Sequence, residues 1–469
     1  MSKITLKHGD VVEQLKLVAD NSVDAIVTDP PYNLSFMGKK WDTFGAPSEF
    51  QNWCAAWSRE CLRVLRPGGY LLSFGGTRTF HRMASGIEDA GFVIKDCLSW
   101  NYGSGFPKGM NISKAIDKKA GVERKRLGLN THQIGRTTDN TTGSFAGGIG
   151  EGYTGEVVGQ RQSYITEPAT SEAEQWDGYS TALKPAWEPI ILAQVPFKGT
   201  IVNNVLNQGV GGLNIDACRI PTNGEQPKGS GNAQKNTLTH GDRNSLVGGS
   251  ITPPQGRFPA NVIFDKDAGA MLDEQSGITK AVKTKKSDNR VENNNQVFGK
   301  GLGLHNSENS HNDSGGASRF FYCPKTPKKE KTCMGFVDNQ HPTVKPINLM
   351  EYLIKLVCPT AEAMGRQPVI MDCFVGSGST ALAANRLGVD CIGIDADEAS
   401  LTTANLRLLN DWRLVTSHTP EIVGYIVERA TEKQLTFIKK LGGDISKEMT
   451  KSLASSTIET LLALTTEAE

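Results

Sequence analysis

The chain has 469 residues, with 38% hydrophobic and 7% aromatic content, enough for a large α/β domain with insertions or a second small domain, though much of it must be polar loop. Basic and acidic residues nearly cancel to a formal net charge of +1, so a nucleic-acid partner would have to be held by local patches and not by a global basic field. No apolar run of about 18 residues suits a membrane span; MSKITLKHGD lacks the apolar region of a signal peptide, and the nine cysteines, without a CxxC pair or metal-type Cys/His spacing, point to reduced thiols in a cytoplasmic setting.

In chain order, His8-Gly9-Asp10 precedes a short helix, with Asp10 readable as a plain N-cap. Residues 23–28, VDAIVT, predict a short buried strand, and Asp29-Pro30-Pro31-Tyr32 stands at its end. Residues 49–65 have helical spacing, with Trp53, Ala56, Trp57, Glu60, Cys61 and Val64 on one side. Arg66-Pro67-Gly68-Gly69 signals a stop and turn before a strand over 70–74, and another strand is predicted over 92–100. The middle, residues 121–330, is different. Stretches rich in Gly, Thr, Asn and Gln at 130–164, 222–256 and 276–318 are interrupted by ordered islands at 182–195 and 258–265. The α/β pattern returns over 341–412, where Ile347, Met350, Ile354 and Val357 recur at helical spacing. Strands are predicted over 369–371 and 391–394, with a helix over 379–387 between them. From 419 onward, residues 432–441 and 446–463 read as two short amphipathic helices around Gly442-Gly443. Strands separated by helix-length segments predict a largely parallel sheet.

Three constellations carry chemistry. An exocyclic base amine is a poor nucleophile because its lone pair is delocalised into the ring. A site that alkylates it should accept hydrogen bonds from the amine and favour tetrahedral nitrogen. Asp29 offers a carboxylate acceptor, the Pro30 carbonyl a second one held rigid by Pro31, and Tyr32 a flat face for an unstacked base. The same four residues also read as an ordinary turn after a strand. Second, Asp372-Cys373-Phe374-Val375-Gly376-Ser377-Gly378-Ser379-Thr380 follows a strand and opens a helix. Its glycines suit close backbone approach to a ligand, or simply a tight turn. Third, Asp395 ends the next strand about 20 residues later, where an acid suits two ribose hydroxyls or serves as a strand-end cap. The spacing is not G-x-G-x-x-G, since position 381 is Ala, which disfavours a dinucleotide dehydrogenase; no Walker lysine follows, which disfavours a P-loop. The chain has Cys323-Pro324 and Cys358-Pro359 but no Pro-Cys pair, which argues against cytosine C5 chemistry.

The order of these motifs resembles the β class of S-adenosylmethionine-dependent amino-methyltransferases acting on DNA. There the D-P-P-Y half comes first, then a variable target-recognition region, then H-P-T-x-K-P and the D-x-F-x-G-S-G-[ST] half. This chain shows Asp29 to Tyr32, a variable middle, His341 to Pro346, and Asp372 to Thr380 in that order. The islands Ser99 to Lys108, Leu183 to Pro189, Gly256 to Asn261 and Phe320 to Cys323 resemble phage and prophage members. Cys373 stands where the class usually has Pro, and Ser379 where it often has Thr, which touches the rigidity of the turn.

The resemblance implies a Rossmann-like methyltransferase sheet of seven strands, mostly parallel, in circularly permuted motif order. It implies a catalytic half over 1–120, target recognition over 121–330, a cofactor half over 331–418 and a small helical C-terminal module over 419–469. It implies that Asp29, Pro30, Pro31 and Tyr32 face the target base. Asp372, Phe374, Gly376 and Gly378 would wrap the methionine part of S-adenosylmethionine, Asp395 would hold the ribose, and Asp10 would approach the cofactor adenine. Thr343, Lys345 and Pro346 would close the pocket. It further implies double-stranded DNA as partner and a homodimer as a common assembly of the class. Asp at position 29 leans to adenine N6, where Ser would lean to cytosine N4. Two basic clusters are expected to contact DNA, or else to be solvated charged faces: Lys108, Lys114, Lys118, Lys119, Arg124, Lys125 and Arg126, and then Arg319, Lys325, Lys328, Lys329 and Lys331. Three rival classes stand beside this reading: an RNA or protein-amide methyltransferase, a non-catalytic DNA-binding protein, and the dehydrogenase disfavoured above.

Overall fold

The computed structural model describes residues 2–34, 42–103, 105, 109–129, 164–221, 256–280, 314–324, 330, 337, 339, 344–409, 411 and 421–424. The two tail helices expected over 432–441 and 446–463, and the polar stretch 130–163, lie outside these residues. The chain divides into two compact units, one of Met1–Asn33, Phe44–Gly103 and Glu188–Glu469, the other of Leu34–Thr43 and Ser104–Trp187.

The elements run β1 (Lys3–His8), α1 (Val11–Lys16), β2 (Val23–Thr28), α2 (Pro47–Val64), β3 (Leu65–Phe74), α3 (Phe80–Asp89) and β4 (Val93–Asn101). Then come α4 (Ile112–Ala120), β5 (Arg126–Leu129), β6 (Tyr164–Thr166), α5 (Ser171–Gln175), β7 (Trp187–Gln194), α6 (Ile201–Gln208), β8 (Val262–Phe264), α7 (Lys266–Ser276), β9 (Thr279–Lys280) and β10 (Ser314–Gly315). The last are α8 (Ile347–Val357), α9 (Ala361–Met364), β11 (Val369–Asp372), α10 (Ser379–Arg386), β12 (Asp390–Asp395), α11 (Glu398–Leu409) and β13 (Glu421–Gly424).

The larger unit is built on one sheet in the order β13-β1-β12-β11-β2-β3-β7-β4-β8. The pairs from β13 through to β3 are parallel, and β7 runs antiparallel to β3. Its central strands are apolar on both faces, as a covered sheet requires. Ala25, Val27, Tyr70, Leu72 and Ile370 pack on one side with α8, α10 and α11. Val23, Ile26, Leu71 and Met371 pack on the other with α1, α2 and α3. Each large aliphatic side chain so buried contributes about 1.5–3 kcal/mol. Among the described residues the sheet has nine strands where seven were expected. β8 pairs in parallel with β4 at one edge, and β13 pairs with β1 at the other. Both extra strands satisfy backbone groups that an open edge would expose. The pair β9–β10 forms a separate antiparallel ribbon.

Arg66 to Gly69 departs from the expectation of a turn outside the sheet. Leu65 pairs with Val23 and Tyr70 with Ala25, so these residues form an irregularity inside β3, with Gly68 at φ +83°. The smaller unit contains α4, α5 and the antiparallel pair β5–β6. Asn111 and Thr170 cap the two helices by accepting the Lys114 and Ala173 N–H groups. Among the described residues, no helix is long and apolar enough to cross a membrane.

The switch in strand order falls between β11 and β2. From β11 the chain continues to β12 on one side, and from β2 it continues to β3 on the other. Ligands bind open α/β sheets outside the carboxyl ends of strands at such a point.

Candidate active site

Both chemistry-bearing motifs leave the sheet at that switch point. β2 ends at Thr28 and delivers Asp29 to Tyr32; its neighbour β11 ends at Asp372 and delivers the glycine turn. The Thr28 hydroxyl donates to Asp372 Oδ1 at 2.6 Å, joining residues 344 apart in sequence. The Thr380 hydroxyl and the Phe374 N–H also donate to Asp372, so one buried carboxylate ties strand, turn and helix together. Burial pushes the Asp372 carboxyl up to about 6, against the hydrogen bonds from Thr28, Thr380 and Phe374 that favour its anion.

Asp29 is half-buried and takes a donor on each oxygen. The Tyr32 hydroxyl donates to Oδ1 and Lys345 Nζ to Oδ2, each at 2.6 Å. Lys345 is buried, 7% exposed, and also lies 3.2 Å from Glu188 Oε2 and 3.2 Å from the Tyr32 hydroxyl. The ammonium stands over the Phe74 ring at 4.8 Å and the Tyr32 ring at 5.6 Å. Burial opposes its charge, but the charges of Asp29 and Glu188 and hydrogen bonds with both outweigh that, holding its pKa above the ordinary lysine value. The Tyr32 hydroxyl also lies 3.1 Å from Glu188 Oε2. Burial, then the two nearby carboxylates, holds its pKa well above the ordinary range, so it stays a phenol and a donor. Behind the corner, the Thr79 hydroxyl donates to the Tyr32 carbonyl at 2.6 Å. Asn33, at φ +55°, accepts the Phe44 N–H at 3.0 Å, tying the corner to the approach to α2. Pro30 is buried and Pro31 half-buried.

On the other side of the switch point, Asp395 accepts the Gly376 N–H at 2.7 Å and the Asp397 N–H at 2.9 Å. Burial raises its pKa, with those N–H groups pulling the other way. Gly376 at φ +51° and Gly378 at φ +84° need left-handed backbone. The β1 end runs alongside, with His8 paired to Asp395 and the Gly9 N–H donating to the Asp395 carbonyl. Asp10 is exposed and caps α1, its Oδ1 accepting the Val12 and Glu13 N–H groups.

The remaining expected site residues have the following surroundings. Lys345 meets the Asp29 corner. Pro346 is the N-cap of α8, its carbonyl accepting the Met350 N–H at 3.1 Å. The Phe374 ring packs 5.5 Å from Trp53 and 5.6 Å from Trp57, within the aromatic layer over α2. Thr343, Lys108 and Lys325 lie outside the described residues. Of the basic residues, Lys118 and Lys119 are exposed at the end of α4. Arg124 is turned inward, 10% exposed, onto Asp117 at 3.3 Å, Ser113 and the Glu167 carbonyl. Lys125 pairs with Glu167 at 2.9 Å, and Arg126 lies over the Tyr164 ring at 4.6 Å. Arg319 binds the Gly315 and Gly316 carbonyls and the Thr279 hydroxyl.

The sequence reading did not single out Glu188, Thr79, Thr28 or Arg407. Arg407 is buried in α11 and donates to the Ser377 carbonyl at 2.6 Å, bracing the glycine turn. Glu188 carried one signal: it is the acid of Lys184-Pro185-Ala186-Trp187-Glu188-Pro189, set directly before an apolar strand.

The sheet thus brings an acid–proline–proline–tyrosine corner and a glycine turn to adjacent strand ends, a two-part site at the switch point of an α/β fold. The DNA methylase family matches residues 23–120 and 262–406, more than half of the chain, and the chain belongs to that family. It is similar to the type II methyltransferase M.HindIII of Haemophilus influenzae strain Rd, 21% identical over an alignment of 246 residues, with coverage of 44% of this chain and 63% of that protein. It is also similar to the type II methyltransferase M.HinfI of Haemophilus influenzae, 29% identical over an alignment of 111 residues, with coverage of 21% of this chain and 31% of that protein. The matches therefore span less than two thirds of either relative. Among solved structures, PvuII DNA methyltransferase (cytosine-N4-specific) gives a TM-score of 0.41 at 11% identity, covering 99% of this chain and 94% of that one. M1.HpyAVI gives 0.35 at 14% identity, covering 86% and 98%.

Proposed function

We propose that the protein transfers a methyl group from S-adenosylmethionine to the exocyclic amine of a base flipped out of double-stranded DNA, adenine N6 in preference to cytosine N4. The observation that carries this is the adjacency of the Asp29 corner and the glycine turn at the ends of β2 and β11, with Thr28 bonded to Asp372. Family membership supports an amine of DNA as target, and Asp at position 29 supports adenine.

The residues present fit the cofactor. Asp395, held at the strand end by the Gly376 and Asp397 N–H groups, would hold the ribose hydroxyls, and Gly376 carries no side chain where the turn crosses beside it. When bound, S-adenosylmethionine supplies a methyl group on a sulfonium that keeps the electron pair of the broken S–C bond. The protein's part is to position and polarise. Asp29 accepts a hydrogen bond from the amine, which localises the lone pair on nitrogen as the N–C bond forms. The surplus amine proton then passes to the Asp29 carboxylate. The Tyr32 ring, held by its hydroxyl on Asp29 while Thr79 holds the backbone carbonyl, stacks on the unstacked base and repays part of the flipping cost of a few kcal/mol. Permuted motif order, target recognition by the region 121–330, DNA contacts from exposed lysines such as Lys118 and Lys119, and a cytoplasmic place of action belong to the same proposal.

The test is incubation with methyl-labelled S-adenosylmethionine and duplex DNA, RNA or protein, followed by nucleoside mass spectrometry. N6-methyladenine in duplex DNA is expected, and Asp29→Ala should cut transfer by about 100-fold or more while binding the cofactor normally. N4-methylcytosine would reassign the base. Label on RNA or protein alone, or full activity of Asp29→Ala, would overturn the proposal.

A further inference from the structure

We infer that Glu188 is a positioning residue for this transfer, the second berth to which Lys345 withdraws when the base amine takes its place on Asp29. The inference rests on the proposed function for its substrate and on geometry for everything else.

Asp29 has no idle oxygen: Tyr32 holds Oδ1 and Lys345 holds Oδ2. An arriving amine must share Oδ2 with Lys345 or displace it. A buried ammonium cannot simply be released, because an uncompensated charge in a low-dielectric site is strongly unfavourable. Lys345 already leans on a second anion, with Glu188 Oε2 3.2 Å from Nζ against 2.6 Å for Asp29 Oδ2. A short shift of Nζ exchanges one full ion pair for another without leaving the cluster. Tyr32 has the same choice. Its single hydroxyl proton faces Asp29 Oδ1 at 2.6 Å and Glu188 Oε2 at 3.1 Å, so Glu188 can accept the phenol as well.

Charge accounting favours two carboxylates over one. With Asp29 and Glu188 ionised and Lys345 protonated, the cluster carries a net charge of −1. That excess faces a reaction in which positive charge arrives on the amine nitrogen and a proton must be taken up. Were Asp29 alone opposite Lys345, its charge would already be spent. The backbone holds Glu188 for this role. β7 runs antiparallel to β3, so its first residues lie beside the carboxyl end of β3, where the Gly75 N–H donates to the Pro189 carbonyl at 2.9 Å.

The test uses the full chain, with Glu188→Gln, Glu188→Asp, Lys345→Met and the double variant Glu188→Gln/Lys345→Met. Single-turnover transfer to methylation-free genomic DNA is measured, with cofactor affinity by calorimetry and thermal melting as controls. Glu188→Gln should slow transfer about 100-fold with cofactor affinity unchanged. Glu188→Asp should recover part of that rate. The double variant should lose clearly less than the product of the two single losses, because Glu188 acts in large part through Lys345. A wild-type rate in Glu188→Gln, or multiplying losses in the double variant, would overturn the inference. A separate readout needs no turnover: the NMR signal of 13Cε-labelled Lys345, assigned by its loss in Lys345→Met, should shift in Glu188→Gln. An unmoved signal refutes the pairing even if the wild type methylates nothing, an outcome that would count against the proposed function instead.

Discussion

Gly378 separates packing from ligand binding in the glycine turn. It caps α10 at φ +84°, and a Cβ built on it would lie 2.7 Å from Ala404 Cβ and 3.0 Å from Ala404 Cα in α11. Left-handed backbone costs an L-residue about 1–2 kcal/mol. Overlap with a helix backbone that cannot rotate away adds about 1–3 kcal/mol. Gly378→Ala should therefore lose about 2–5 kcal/mol, a large share of the ~5–15 kcal/mol of a typical domain. Urea unfolding followed by circular dichroism measures it, as a lower midpoint at unchanged slope. Ala404→Gly removes the nearer of the two contacts and by itself costs about 1 kcal/mol in a helix interior. Combined with Gly378→Ala, it should return about 1 kcal/mol or more relative to the sum of the single effects. A Gly378→Ala loss below about 0.5 kcal/mol, or simple additivity, would refute the packing argument. Lost cofactor binding at full stability would then assign Gly378 to the ligand.

Three further outcomes are expected. Asp372 sits at about 6 in the folded protein, above the ordinary 3.8, so its contribution to stability is fully present below the lower value and is lost as pH rises through the higher one. The stability of the wild type relative to Asp372→Asn should thus fall by about 3 kcal/mol across that window in urea titrations, and a difference that does not vary with pH would contradict the burial. Asp395→Ala should weaken cofactor binding about 10- to 100-fold by calorimetry, since hydrogen bonds to a charged group are lost; unchanged affinity would remove Asp395 from the pocket. In the smaller unit, Lys118→Ala with Lys119→Ala should weaken DNA binding and flatten its salt dependence without altering melting, whereas Arg124→Ala should lower the melting temperature by about 5 °C. Salt-dependent binding unaffected by the lysine pair would show α4 to be only a solvated face.

Sequence by itself determined the strands over 23–28 and 369–371, the helices over α2 and α8, and the identity of the Asp29 corner and the glycine turn. Local periodicity and turn chemistry write these, because they depend on residues close in the chain. The turn residues Arg66 to Gly69 were legible as irregular, but not as a bulge within β3, which takes its form from pairing with β2. The N-cap role of Asp10 was readable from its neighbours alone. Only the tertiary structure decided which charges meet. Lys345 belongs to the motif expected to close the pocket, and local sequence does not say that its ammonium rests on Asp29, 316 residues away, and on Glu188. Arg124 looked like part of a basic DNA-facing cluster and turns inward to Asp117. A charged side chain's partner is set by the crossing of strands distant in sequence, and the low dielectric there makes those few ångströms decisive. That is why the motifs could be read from the sequence while the electrostatics of the site could not.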